Sequence, residues 1–217
     1  MKLNLKHSAL MVVLLGSAAI TQATTLGLNA PTNTVAQTAG SFGGVLLDSA
    51  ITPISNISYN GIARAAVYDT GTGLDFYYQF SNDASSQNGL ERFSMYDFSS
   101  LGATAVDVFQ TGAAFGIFTA GTETSDGADR TGMGVIGFSF IPNMQSKINP
   151  GTTSFTQIIR TNARQYTAGN FGLLDGIGDN AAGFAVSAVP EPETYAMLLA
   201  GLGLIGSIVR RRANKQA

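Results

Sequence analysis

Between residues 24 and 188 the sequence predicts an all-β domain, an antiparallel β-sandwich with a jelly roll or barrel as the alternative arrangement. Three observations carry that prediction. Short runs rich in β-branched and aromatic residues recur with turn residues between them. One of them, Gly134 to Ile141, places Ile136, Phe138 and Phe140 on one face and Gly137 and Ser139 on the other, the period-two pattern of a half-buried strand. No stretch of this region carries an apolar 3.6 period over ten or more residues, so no helix competes for it.

In chain order, the first element is an export leader. Lys2 and Lys6 precede a mostly apolar stretch from Ala9 to Ile20, and Thr21-Gln22-Ala23 places small residues where a signal peptidase reads, so residues 1–23 read as a signal peptide cut after Ala23. The strand candidates follow: Ile62 to Tyr68, Leu74 to Ser81, Arg92 to Phe98, Ala105 to Phe109, Gly134 to Ile141, Ser154 to Thr161 and Ala182 to Ser187. Asp69-Thr70-Gly71-Thr72-Gly73 joins the first two as a hairpin, and Asn149-Pro150-Gly151 turns the chain ahead of another. Phe76, Tyr77, Tyr78, Phe80, Phe93, Tyr96 and Phe98 lie on neighbouring candidates. In a domain without tryptophan they are expected to be the large core fillers, the alternative being a row of exposed tyrosines that stacks on sugar rings.

Charge and absent residue types exclude several functions. Residues 24 to 188 hold six basic side chains against twelve acidic ones, a net charge of −6 that the whole-chain value of −2 conceals. Nucleic acid is therefore not an expected partner. The one histidine, His7, belongs to the leader, and the chain has no cysteine. Ser-His-Asp and Cys-His catalysis, and zinc or haem sites built on His or Cys, have no residues to use. Without disulfides, stability outside the cytoplasm must come from a packed core.

Carboxylates remain as the candidates for chemistry. Asp126 and Asp129 are expected in a loop with Glu123 and Ser125, and Asp175-Gly176-Ile177-Gly178-Asp179-Asn180 sets two carboxylates and an amide in a glycine-rich segment. Hard oxygen donors of this kind suit calcium, but the second segment lacks the spacing and distal glutamate of a helix-loop-helix calcium loop. The reading is therefore a domain without catalytic residues, cofactor or resident metal, with Asp126, Asp129, Asp175 and Asp179 as the calcium candidates. A glycosidase using two carboxylates is the less favoured alternative, because twelve scattered acids always supply pairs. Asn56-Ile57-Ser58 matches the N-glycosylation pattern and reads as a turn or strand edge.

The C-terminus carries the most specific pattern. Pro190 and Pro192 lack amide donors and disfavour helix at the residues before them, so Val189-Pro190-Glu191-Pro192 is expected to be an extended strip for a partner to read. Thr194 can cap a helix whose apolar run, Tyr195 to Val209, spans roughly 23 Å. That is short of a hydrocarbon core of roughly 30 Å. Arg210, Arg211 and Arg212 follow at once, placed to reach the headgroups and to stay on the cytoplasmic side as a stop-transfer cluster. Motif, membrane helix and basic cluster in this order resemble the PEP-CTERM sorting signal over residues 189–217. Gly61 to Asn82 and Ile158 to Phe171 look like domains carried by such proteins. The resemblance implies signal-peptidase and secretory handling, transient anchoring in the inner membrane of a Gram-negative bacterium, and processing by exosortase near Pro190 to Pro192. Delivery to the envelope or extracellular matrix follows, in a setting of exopolysaccharide and biofilm. A carbohydrate-binding module of the envelope is the alternative for the domain.

Overall fold

The computed structural model describes residues 23–37, 44–141, 147–187, 197–202 and 204–205. Its strands, numbered in chain order, are β1 (Thr24–Leu26), β2 (Ala36–Gln37), β3 (Val45–Ser55), β4 (Asn60–Asp69), β5 (Leu74–Asn82), β6 (Arg92–Met95), β7 (Val106–Thr111), β8 (Gly127–Arg130), β9 (Ile136–Ser139), β10 (Thr156–Arg160), β11 (Tyr166–Asp175) and β12 (Ile177–Val186). One sheet runs β1-β7-β10-β5-β4-β3, with β2 added in parallel to β7; the other runs β12-β11-β6-β9-β8. Every other strand pairing is antiparallel. The two sheets share one buried apolar layer, so the predicted antiparallel sandwich is the observed fold.

The turns form for the reasons their residues suggest. Gly71 has φ +81°, its N–H donates to Asp69 Oδ1 at 2.7 Å, and the Thr70 N–H donates to the Gly73 carbonyl at 3.0 Å, which closes the β4–β5 hairpin. Pro150 and Gly151 (φ +83°) make the turn that the Thr152 N–H closes on the Asn149 carbonyl at 3.0 Å. Asn56 Oδ1 accepts from the N–H groups of Ser58 and Tyr59, both at 2.9 Å, so this residue builds the β3–β4 turn.

Some strands differ from the sequence reading. The Arg92 to Phe98 candidate stops at Met95, because Asp97 takes a left-handed backbone with φ +64° that no strand accommodates. Strands β3, β8 and β11, the short β1 and β2, and the first half of β12 carry no clear apolar alternation and form through their partners. β11, interrupted by Gly169 and Gly172, pairs along its whole length with β12 and through Phe171 to Leu174 with β6.

Phe76, Tyr78 and Phe80 face the shared layer, and two of them meet rings from beyond their own sheet: Tyr78 lies 5.1 Å from Phe171 and Phe76 lies 5.2 Å from Phe98, edge to face. The Tyr78 hydroxyl donates to the Phe184 carbonyl at 2.6 Å, and the Tyr59 hydroxyl to the Leu173 carbonyl at 2.9 Å, so both phenols are buried without a stranded donor. The opposite face of β5 is covered too. Tyr77 packs with Tyr68, Ile158, Phe115 and Phe118 in a second cluster under the 112–125 segment. Gln79 holds that segment as a strand would, donating to the Thr119 carbonyl at 2.7 Å and accepting from the Thr119 N–H at 3.0 Å.

Phe171 has no exposed surface and touches Tyr78 and Phe93. Phe171→Ala is expected to cost about 3–5 kcal/mol. A urea-unfolding free energy within about 1 kcal/mol of the parent would contradict this packing of the core.

Candidate functional site

The sequence-predicted carboxylates do not gather. Asp129 lies not in a loop but on the outer face of β8, because Gly127 to Arg130 pair with β9, and it is held by a two-pronged ion pair with Arg92 at 2.8 and 2.9 Å. Asp126 precedes β8, its N–H donating to the Ser139 carbonyl at 2.8 Å. At the far edge of the same sheet, Asp175 ends β11, accepts from the Ser58 hydroxyl at 2.6 Å and pairs with Lys147 at 3.3 Å. Lys147 also pairs with Glu91, and these partners, Glu91 first, hold its ammonium above the ordinary lysine range. Asp179 accepts from the Asn180 N–H at 2.8 Å and meets Asn56 Nδ2 at 3.5 Å. Among the described residues no group of three or more His, Cys, Asp or Glu side chains is placed to hold a metal ion.

Asp75 is fully buried, and the Arg160 fork closes on it with contacts of 2.7 to 3.2 Å. The same guanidinium lies 5.0 Å from the Phe109 ring centroid, and Asp75 holds its pKa above the usual arginine value. The pair neutralises a charge inside the sheet and joins β5 to β10. It anchors structure, and the Tyr77 hydroxyl donates to Asp75 Oδ2 beside it at 3.4 Å.

The predicted aromatic fillers are core residues except one. Tyr96 is 37% exposed, on the outer face of the five-stranded sheet. Along β6 and just past it, Phe93 and Met95 point inward while Arg92, Ser94 and Tyr96 point outward, an alternation legible in the sequence. A hollow of 260 Å³ lies beside Tyr96, lined with Ser94, Gly172, Leu174 and Asn180. Neither Ser94 nor Asn180 stood out in the sequence, because single polar residues on strands are ordinary.

Of the export residues, Ala23 is half-buried and directly precedes β1, whose Thr24 hydroxyl donates to the Thr34 carbonyl at 2.6 Å. The rest of the leader lies outside the described residues, as do Pro190, Glu191, Pro192, Arg210, Arg211 and Arg212. Of the expected span Tyr195 to Val209, residues 197–202 and 204–205 are helical, and Met197, Leu198, Leu199, Leu202, Leu204 and Ile205 are exposed. Among the described residues no helix is long and apolar enough to cross a membrane.

Residues 188–213 match the family model described as a PEP-CTERM protein-sorting motif. No match was found among curated proteins, and none among solved structures.

Burial, with help from the charges of Asp179 and Asp175, pushes the Tyr59 hydroxyl up to about 12. Its folded value lies above the value of about 10 for a free tyrosine, so the unfolded chain gives up this proton first as pH rises. The stability linked to Tyr59 is complete below pH 10 and is lost between about pH 10 and 12. Urea midpoints measured across that window should fall less steeply for Tyr59→Phe than for the parent, and equal slopes would contradict the assignment.

Proposed function

We propose that this chain, which carries a PEP-CTERM sorting motif and is thereby an exosortase-sorted protein, is the precursor of a non-enzymatic surface or matrix protein with a structural or adhesive role in exopolysaccharide and biofilm. The observation that carries the reading is the match over residues 188–213, where motif, apolar run and arginines occur together. The sorting signal directs the chain to the envelope or outer surface.

The division of labour follows from the residues. The leader, cut after Ala23 by signal peptidase, delivers the domain through the secretion machinery across the inner membrane. Pro190, Glu191 and Pro192 present the extended strip that exosortase reads. The Tyr195 to Val209 run holds the precursor in the membrane, and exposure of its apolar side chains from Met197 to Ile205 supports an apolar partner for this helix, not a place in the sandwich core. Arg210 to Arg212 stop transfer on the cytoplasmic side. The domain itself contributes a durable fold without cofactor or catalytic group. A second reading, an envelope carbohydrate-binding module, is favoured by the exposure of Tyr96 beside its hollow.

Glu191→Ala should leave uncut precursor in the inner membrane, read as a heavier band in that fraction; normal processing of the variant would sink the recognition step. Replacing all three arginines should change the pattern of protease digestion from the periplasmic side, and an unchanged pattern would rule out their stop-transfer role.

A further inference from the structure

The outer face of the five-stranded sheet is built differently from the rest of the surface. Strand register places Asn180, Gly172, Ser94, Gly137 and Asp129 in one row across β12, β11, β6, β9 and β8. Four strand spacings make that row roughly 19 Å long. Two of its positions are glycines, and each is covered by a planar side chain from β6 or its end. A Cβ on Gly172 would run into the Tyr96 hydroxyl and lie 3.2 and 3.4 Å from ring atoms Cζ and Cε2, so the phenol lies across that glycine. A Cβ on Gly137 would strike the Arg92 guanidinium, which Asp129 holds by both prongs.

The result is a flat floor with a ring on it, and the polar groups around that ring are uncommitted. The Tyr96 and Ser94 hydroxyls and the Asn180 carboxamide have no hydrogen-bond partner among the described residues. They border the 260 Å³ hollow in which the Tyr96 ring stands. A partly exposed aromatic face beside hydroxyl and amide groups matches a sugar ring, which offers apolar C–H bonds on its face and hydroxyls around its rim. Charge narrows the class. Arg92 is neutralised by Asp129, Asp179 adds negative charge at the hollow, and the domain carries a net charge of −6, so the face is suited to an uncharged chain and repels an anionic one.

We propose that this face binds a segment of uncharged polysaccharide across β12, β11 and β6, with one ring stacked on Tyr96 and its hydroxyls bonded by Ser94 and Asn180. The inference deepens the adhesive reading by naming its ligand class and site, and it does not depend on the sorting step.

Isothermal titration of the full-length chain, in a detergent without a sugar headgroup, against hydroxyethylcellulose, galactomannan and dextran tests it, with alginate as the anionic comparison. Binding to at least one uncharged polymer is expected. Tyr96→Ala should weaken it about tenfold and Tyr96→Phe should largely retain it, with the melting temperature unchanged in both. Asn180→Ala, on an exposed strand position, should also weaken binding, independently of the ring. Absence of binding to all three uncharged polymers, binding to alginate alone, or equal affinity of parent and Tyr96→Ala would each overturn the proposal. Since exosortase takes no part in the titration, those outcomes leave the sorting reading untouched.

Discussion

Because β5 carries large side chains on both faces, the chain has to cover that strand twice, and most of the domain is arranged to do so. Phe76, Tyr78 and Phe80 require a cover on the inner side, which the second sheet supplies with Phe93 and Phe171 and the segment after β6 with Phe98. Asp75, Tyr77 and Gln79 require a cover on the other side, which Arg160 and the 112–125 segment supply. The polar members of that outer layer are matched atom to atom: Gln110 exchanges bonds with Ser125 as Gln79 does with Thr119, so a non-strand segment is fixed to the sheet without a stranded amide. Stability without a single disulfide then rests on this double burial, which suits a chain read as exported.

The parts of the fold legible in the sequence are those with strong local chemistry. Alternation in Gly134 to Ile141, the glycine turn after Asp69 and the aromatic run in Leu74 to Ser81 each carried a local cause, and each is found in place. Strands that form through pairing alone were not legible. β11 contains Gly169, Asn170 and Gly172, poor strand formers in isolation, and it is fixed by β12, by β6 and by the inward anchors Phe171 and Leu173. β3 is an edge strand exposed over most of its length, so its apolar residues never alternate against a core; a bulge near Leu46 and the donor-less Pro53 limit further strand addition at this edge.

For function the division is different. The sorting signal depends on linear order, which a sequence displays in full, so Pro190 to Pro192 and Arg210 to Arg212 could be named without coordinates. The outer face of the five-stranded sheet depends on residues from separate strands meeting at one register. Tyr96, Gly172 and Asn180 lie far apart in the chain, and only the pairing of β6, β11 and β12 brings them into one row. The acidic pairs are the converse case: neighbours in sequence, they are drawn to Arg92, Lys147 and Ser58, and their proximity in the chain builds no shared centre.

Delivery by the C-terminal signal is tested most directly by intact mass with fractionation of the native protein, from host cells with and without a working exosortase. A product beginning near Thr24 and ending near Pro192, found outside the inner membrane only when the protease works, is the expected result. A chain that keeps residues 193–217 and stays in the inner membrane of both strains would contradict it.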